Sequence, residues 1–281
     1  MQTTSILSEI SAFEDSQAFG DLKLNKHNYA YIKSELARIF CDLTNDFSFN
    51  KDVLTTSRYI DEFLTDFVPN IPEQLKYPGT GSTGIMGLFP LYLAARCIQP
   101  ALIIESGVFV GTSLNMFDSV FPAAKIHAFD IDLSKIKLQP SHACLHEMDW
   151  VEFEDLPNDD NSLVFFDDHI NCAIRIKQCM EKGIRYAIFD DSPPIGKLVK
   201  YRYPAIPSIP IILDENIPDG CTFEWHHNGT DKKLRYIHDA KLCESVRVHI
   251  KSSTPLDRFG DILGPGCGDK WFIELNLPAK N

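Results

Sequence analysis

The chain has 281 residues and a formal net charge of −12 at pH 7. This length is sufficient for one large α/β domain, or for such a domain with an additional helical region. The negative charge disfavours nucleic acid as a partner, because backbone phosphates would be repelled. The densest basic stretch, KLVKYR at 197–202, is too short to reverse that field.

The cysteine pattern and the N-terminus indicate in which cellular compartment the protein is expected. Eight scattered cysteines without a CxxC pair are typical of free thiols in a reducing environment. The N-terminus lacks the basic start and the long apolar run of a signal peptide. The most apolar helical segment, 84–98, is shorter than a membrane span and includes Arg96. We therefore expect a soluble cytoplasmic protein that does not contact a membrane.

The first quarter of the chain has the pattern of amphipathic helices. Apolar residues recur at helical spacing from Asn28 and again from Ser57. We expect these helices to form an N-terminal cap over 1–76, followed by a second domain over 77–281. Their apolar faces make a homodimer interface a further expectation.

A glycine-rich loop, KYPGTGSTGIMG, contains the pattern GxGxxG at Gly79, Gly81 and Gly84. A dinucleotide-binding fingerprint requires a strand directly before its first glycine, and EQLKYP is a poor strand. We interpret the segment as a loop that leads into the following helix. An alternative interpretation is a mobile loop that closes over an active site.

From residue 101 onward, apolar segments alternate with helical or turn segments. This alternation is typical of a Rossmann-like, doubly wound, mostly parallel α/β sheet, for which we expect seven strands. The clearest helix lies at 169–182 and is followed by Gly183 as a C-terminal cap. The first five strands are predicted at 101–105, 125–130, 143–147, 162–167 and 185–190.

The C-terminal part of the pattern is less regular. A proline-rich insert at about 192–230 is predicted to be a lid or binding loop without regular structure. A helix is predicted at 231–244. Two strands, at 245–251 and 270–277, would then form an antiparallel hairpin at the edge of the sheet.

The stretch ALIIESGVFVGTSLNMFD at 101–118 has the order strand, glycine turn, helix. Glycines at 107 and 111 would allow the backbone to approach a ligand closely, with Thr112 or Ser113 capping the helix. Such a turn offers backbone N–H groups to a small polar ligand. Its bulky intermediate residues and Glu105 disfavour a pyrophosphate and favour a cationic ligand.

Carboxylates follow the predicted strands, and the carboxyl ends of parallel strands are where such sheets bind ligands. Asp130 lies nineteen residues after Gly111, which suits an acid that accepts hydrogen bonds from ribose hydroxyls. Two acidic pairs end the fourth and fifth strands. Because like charges this close oppose ionisation, we expect a divalent cation with oxygen ligands, such as Mg²⁺. In the alternative interpretation these acids cap helices or face solvent.

These residues carry a family resemblance. ESGVFVGTS resembles the first motif of class I S-adenosylmethionine-dependent methyltransferases. VFFDDH and AIFDDSPPIG are similar to the two metal-binding strand ends of catechol O-methyltransferase and of the Mg²⁺-dependent O-methyltransferases of the macrocin and novobiocic acid type. The resemblance covers 103–196, and it implies a methyltransferase that acts on a hydroxyl group of a small molecule.

The resemblance also implies a role for each matched residue. Asp130 would bind the ribose of S-adenosylmethionine, and Asp149 would lie near the adenine amino group. The methionine part would be held around the glycine turn, by Glu105, Ser106, Gly107, Gly111, Thr112 and Ser113. The metal ligands would be Asp167, Asp190 and Asp191.

The sequence departs from this family where the base is expected. The lysine that serves as base in catechol O-methyltransferase is replaced by Ile170. We expect His169 or Asp168 to take the proton instead, since histidine titrates near neutral pH. A His169 that only packs at the helix start is the alternative. The substrate pocket would form from 192–230 and the loop at 78–84, lined by Tyr201, Tyr203, Trp225 and His226.

Other functions on the same fold stay open at this stage. A methyltransferase that acts on nitrogen or carbon without metal, a hydroxylase-like relative and a non-catalytic cofactor-binding protein all fit the pattern. A zinc site is disfavoured because the spacing of its candidate ligands is unusual. Those candidates are Cys221, His226, His227 and His238.

Overall fold

The computed structural model describes residues 27–76, 83–156, 161–201, 203–227, 231–263 and 268–277. Its main sheet has seven strands in the order β3-β2-β1-β4-β5-β9-β8. A separate hairpin pairs β6 with β7. The strands are β1 Leu102–Ser106, β2 Lys125–Asp130, β3 Cys144–Glu147, β4 Ser162–Phe166, β5 Tyr186–Phe189, β6 Thr222–His226, β7 Lys233–Ile237, β8 Ile250–Pro255 and β9 Trp271–Leu275.

Strands β1 to β5 pair in parallel, whereas β9 runs antiparallel between β5 and β8. This arrangement confirms the predicted Rossmann-like, doubly wound sheet with an antiparallel C-terminal strand pair. The strand order reverses between β1 and β4, and ligands of open α/β sheets bind at that point. The carboxyl ends of β1, β2, β4 and β5 therefore all reach the same edge.

Helices cover both faces of the sheet because successive strand residues point to opposite sides. One hydrophobic cluster includes Ile103 and Phe165, and the other includes Ile104 and Val164. No helix in the described part of the chain is long and apolar enough to cross a membrane. The helices are α1 Tyr29–Leu43, α2 Val53–Glu62, α3 Glu73–Lys76, α4 Ile85–Ile98, α5 Thr112–Val120, α6 Cys172–Lys182, α7 Ile209–Leu213, α8 Ala240–Arg247 and α9 Gly260–Leu263.

The N-terminal helices pack into the same core as the sheet. Leu36 and Phe40 of α1 are buried in the cluster that contains Ile103. Beyond α1, the rings of Phe47 and Phe272 stack with their centroids 4.4 Å apart. The buried part of the α1 face therefore packs within the chain, while the homodimer and the boundary at residue 76 both stay predictions.

The predicted helix at 231–244 is wrong in its first half. Residues 233–237 form β7, and the helix α8 begins only at Ala240, after its N-cap Asp239. The strand predicted at 245–251 is displaced for the same reason, since α8 continues to Arg247 and β8 begins at Ile250. Leu234 pairs with Trp225 across the hairpin, and this distant partner decides the local structure.

The insert at 192–230 has more regular structure than expected, since it contains a 3₁₀ segment at Ile195–Lys200, α7 and β6. Two helix starts also differ. The helix predicted at 169–182 begins at Cys172, where the side chain of Asn171 accepts two backbone N–H groups. At α5 the N-cap is Gly111, without a side-chain cap from Thr112 or Ser113.

Candidate active site

A cleft of about 540 Å³ lies at the carboxyl ends of β1, β2 and β4. The glycine turn after β1, the end of β2 and the end of β4 supply its walls, so the sheet topology explains why these segments meet. Seven of the site residues predicted from the sequence line it: Ser106, Gly107, Asp130, Asp149, Asp167, Asp168 and His169. Its other lining residues are Phe109, Phe129, Ile131, Asp132, Lys135, Met148, Ile170 and Arg175.

Gly107 allows the turn to lie directly against the end of β4. Its φ is +94°, and a Cβ at this position would lie 2.4 Å from the carbonyl oxygen of Asp167. Only glycine tolerates both the left-handed conformation and that approach. The Gly107 N–H donates to the Phe129 carbonyl at 2.8 Å, which ties the turn to β2 as well.

Asp130 is tied to the same turn. Its Oδ2 accepts the backbone N–H groups of Val108 and Phe109 at 2.8 and 2.9 Å. Its Oδ1 accepts the N–H of Asp132 at 3.0 Å. A carboxylate has about four acceptor positions, so one remains for a ligand hydroxyl on the cleft side.

Glu105 lies beneath the turn rather than in the wall of the cleft. Its side chain is fully buried, and Oε1 accepts a hydrogen bond from Ser113, while Oε2 has no partner in the part of the chain that the structure describes. Burial raises the pKa of this carboxyl to about 8. Gly111, Thr112 and Ser113 are likewise not among the lining residues of the cleft.

Arg175 of α6, which the sequence reasoning missed, neutralises two of the acids in the cleft. Its guanidinium lies 2.8 Å from Asp149 and 2.7 Å from Asp168, and its side chain is only 2% exposed. The ion pair lowers the pKa of Asp149 although burial opposes this. Asp168 also accepts the Ser106 hydroxyl at 2.6 Å and the Ile170 N–H at 3.1 Å. Because Arg175 already neutralises its charge, Asp168 is a weaker candidate for the base than an unpaired group would be.

Asp167, His169 and Asp191 form a group whose ligand atoms all lie within 4.8 Å of one another. His169 Nδ1 is 3.3 Å from Asp191 Oδ2. Burial, and then the charge of nearby Asp190, raises the pKa of Asp167 well above its usual range and that of Asp191 to about 6. His169 and Asp191 both have left-handed backbones, with φ values of 57° and 45°. Such strain in non-glycine residues is typical of functional sites.

Asp190 has a different partner from the one expected. Lys270, directly before β9, places its ammonium 2.6 Å from Asp190 Oδ2, and its side chain is 3% exposed. Gly268 covers this pair, since a Cβ there would lie 3.0 Å from Lys270 Nζ and 3.3 Å from Asp190 Oδ1. A lone lysine before an apolar strand gave no signal of this role in the sequence.

A second cavity, of about 480 Å³, lies between the 203–206 segment and the β6–β7 hairpin. Tyr203 and Trp225 line it, as predicted. The other two predicted lining residues do not, since the Tyr201 hydroxyl donates to Asp269 and His226 is exposed on its strand. His169 lines both cavities and so stands at their junction.

Two remaining sequence predictions concern loops and zinc. Residues 77–82 of the glycine-rich loop lie outside the described residues. Of its remaining part, the Thr83 hydroxyl lies 3.5 Å from Asp190 Oδ2, and Gly84 is the N-cap of α4. Within the described ranges, the one group of metal-ligating side chains that converge is Asp167, His169 and Asp191. The disfavoured zinc candidates around Cys221 are therefore not brought together.

Comparison with known proteins gives distant structural likenesses. No protein-family model and no curated protein sequence matches the chain. Solved structures that match comprise 66 chains. One structure of cmcI with SAH is 23% identical over 39% of this chain and 61% of its own, with a TM-score of 0.33.

Two others are similarly distant. A structure of cmcI with Mg-SAM is 15% identical over 62% of this chain and 65% of its own, with a TM-score of 0.36. The O-methyltransferase from Bacillus cereus with SAH is 12% identical over 86% of this chain and 99% of its own, also with a TM-score of 0.36. The chain thus spans less than two thirds of either cmcI structure. Likenesses at this level do not decide the function, which has to be argued from the residues of the site.

Proposed function

We propose that this protein transfers a methyl group from S-adenosylmethionine to a hydroxyl oxygen of a small molecule, with assistance from a divalent cation. The observation that carries the proposal is the cleft at the β1, β2 and β4 ends. It combines a glycine turn that no larger residue fits with five lining carboxylates. The hydroxylated substrate and the cation are parts of the same proposal.

The charge of the cleft favours a cationic cofactor over a dinucleotide. The five carboxylates, Asp130, Asp132, Asp149, Asp167 and Asp168, are opposed by two strong bases, Lys135 and Arg175. Arg175 is already engaged by two of the acids. A pyrophosphate would be repelled here, whereas the sulfonium and ammonium groups of S-adenosylmethionine would be attracted.

The walls also suit the other parts of this cofactor. Ile131 is exposed at the rim, and Phe129 and Met148 line the cleft beside it. These apolar side chains would cover the adenine ring. The remaining acceptor position of Asp130 would take a ribose hydroxyl. S-adenosylmethionine would supply the methyl group that is transferred.

The donor set also fits a divalent cation. The Asp167 carboxylate accepts no hydrogen bond from any residue that the structure describes, and burial, followed by the charge of Asp190, raises its pKa. Asp191 is close by, and its one direct basic partner among the described residues is His169. A cation bound here would lower the pKa of a substrate hydroxyl. Mg²⁺ is the ion that the sequence motifs imply.

The position of His169 indicates where the reacting hydroxyl of the substrate would lie. Because this residue borders both the cleft and the second cavity, a substrate in the second cavity would present its hydroxyl next to His169. The sheet edge and the hairpin would hold the two reactants in line. Positioning of this kind can supply a large part of the rate enhancement of a methyl transfer.

Calorimetric titration tests the proposal directly. S-adenosylmethionine should bind, NADH should not, and Gly107→Ala should abolish binding. Gly196→Ala is the matched control, since a Cβ at that glycine would meet nothing within 4 Å. Binding of NADH in preference to S-adenosylmethionine would refute the cofactor assignment. Methyl transfer that survives complete removal of divalent cations would refute the metal assistance alone.

A further inference from the structure

The four acids that end β4 and β5 are not equivalent. Asp168 is neutralised by Arg175, and Asp190 is neutralised by Lys270. Both cations are buried side chains. This leaves Asp167 and Asp191 as the acids without a lysine or arginine partner among the described residues. His169 is the basic side chain that lies next to them.

The geometry points to a ligand set with one nitrogen. Donor atoms bound to a metal at about 2.1 Å lie roughly 3–4 Å from one another. His169 Nδ1 and Asp191 Oδ2 are 3.3 Å apart, and an Asp167 oxygen completes the group within 4.8 Å. His169 is 40% exposed, so an ion can reach its ring from the cleft.

Lys270 excludes Asp190 from that set. Its ammonium lies 2.6 Å from Asp190 Oδ2, while Asp190 Oδ1 accepts the N–H of Asp191 at 2.8 Å. Each carboxylate oxygen thus already holds a donor. An ion bound by Asp190 would lie beside the buried Lys270 ammonium, and repulsion between the two positive charges makes that position costly.

We propose that the divalent cation is bound by Asp167, His169 and Asp191, with Asp190 held outside the ligand set by Lys270. The inference rests on the proposed function for the identity of the site, and it changes the role of His169 from base to ligand. Mg²⁺ prefers oxygen ligands, whereas an imidazole favours first-row transition metals. The site should therefore select Mn²⁺ or a similar ion over Mg²⁺.

Mn²⁺ binding without cofactor or substrate tests this assignment. The full chain is titrated with Mn²⁺ or Mg²⁺ by calorimetry, and pulsed electron paramagnetic resonance detects ¹⁴N coupling from a coordinated imidazole. The variants are His169→Ala, Asp167→Asn and the double variant Asp190→Asn with Lys270→Met. The double variant removes both members of the buried pair and so leaves no lone charge. His142→Ala is the matched control, because His142 lies 3.0 Å from an acid elsewhere, Asp118.

The wild type should show ¹⁴N coupling and bind Mn²⁺ more tightly than Mg²⁺. His169→Ala should lose the coupling and weaken Mn²⁺ binding by at least about tenfold, the lower end of losses for groups that support a metal site. The double variant and His142→Ala should bind Mn²⁺ as the wild type does.

Three results would overturn the assignment. These are Mn²⁺ binding that is unaffected in His169→Ala, a double variant that is as impaired as Asp167→Asn, and a wild type that binds no Mn²⁺. Circular dichroism would verify that each variant is folded. Separate titration with S-adenosylmethionine distinguishes failure of this inference from failure of the proposed function, since each ligand is measured without the other.

Discussion

The ends of β4 and β5 have almost the same sequence, FDDH and FDDS. The acid that pairs with a buried cation is nevertheless the second of the pair after β4 and the first after β5. After β4, the second acid is neutralised by Arg175 and the first is left toward the cleft. After β5, the first acid is neutralised by Lys270 and the second contacts His169. The two remaining acids, Asp167 and Asp191, converge on one point.

The sequence motif alone therefore does not decide which carboxylate is able to bind a ligand. The partner of each carboxylate in the folded chain decides it. Each neutralising cation comes from outside the motif that it neutralises, Arg175 from α6 and Lys270 from the residue directly before β9. Each cation fixes one carboxylate as a structural group. The comparison can be tested by substituting the cations Arg175 and Lys270 and the buried Glu105. A further test substitutes the two glycines that pack against these strand ends, Gly107 at β4 and Gly268 at β5.

The largest expected effect is that of Arg175→Met. The substitution leaves Asp149 and Asp168 without their shared cation, so we expect the free energy of unfolding to fall by about 5 kcal/mol. Urea unfolding followed by circular dichroism measures it. Arg38→Met is the control, since Arg38 also contacts two acids but is 54% exposed, and the substitution should change stability far less. Equal effects of both substitutions would contradict the buried role of Arg175.

Glu105 should make stability depend on pH in the opposite sense to an ordinary carboxylate. Its pKa is raised from 4.5 to about 8, so the folded state holds the proton more tightly than the unfolded state. Stability should therefore be fully present below pH 4.5 and fall by about 4 kcal/mol between pH 4.5 and pH 8. Glu105→Gln should remove this contribution, as measured by urea unfolding across that range. The exposed Glu73→Gln serves as the control, and identical profiles for the two variants would count against a buried carboxyl.

Lys270→Met should destabilise the end of β5 by about 3 kcal/mol, because it leaves Asp190 buried without its cation. Adding Asp190→Asn should recover most of the loss, since no lone charge then remains. A double-mutant cycle by urea unfolding measures the coupling. If the two losses simply add, the pair is not coupled and the division of roles at β5 is incorrect.

The smallest effect compares the two glycines. Gly107→Ala should cost about 2 kcal/mol, because its Cβ would meet the rigid backbone of Asp167 at 2.4 Å. Gly268→Ala should cost less, since its nearest neighbour is the flexible end of Lys270 at 3.0 Å. Both glycines have positive φ, so both substitutions introduce similar backbone strain. The difference between the two losses of stability therefore reports how closely the new Cβ contacts its neighbour. Thermal unfolding of the two variants decides, and a reversed order would contradict this account.

The sequence predicted the parts of the fold that depend on local patterns. The strand, glycine turn and helix at 101–118 and the acids at the strand ends were all visible, because apolar runs, glycines and carboxylates lie close together in the chain. The paired cations Arg175 and Lys270 were not visible. Their roles arise only when folding brings together residues that are separated in the chain, by 80 positions for Lys270 and Asp190 and by 26 for Arg175 and Asp149. The first pair then lies 2.6 Å apart and the second 2.8 Å apart.

The β6–β7 hairpin was missed for a related physical reason. The segment 231–244 includes Leu234 and Tyr236, which suit either a helix or a strand when read alone. Their cross-strand partners, Trp225 and Phe223, decide in favour of a strand, and Trp225 also lines the second cavity. Side-chain pairing across strands carries more weight here than intrinsic propensity.

The position of Lys270 near the end of the described chain determines when the end of β5 can be neutralised during synthesis. A nascent chain that has emerged only as far as β5 contains Asp190 but not the cation that neutralises it, which comes with β9. The end of β5 therefore cannot reach its final charge balance until nearly all of the described chain has left the ribosome. Arg175 follows Asp168 closely, so the end of β4 can be completed much earlier.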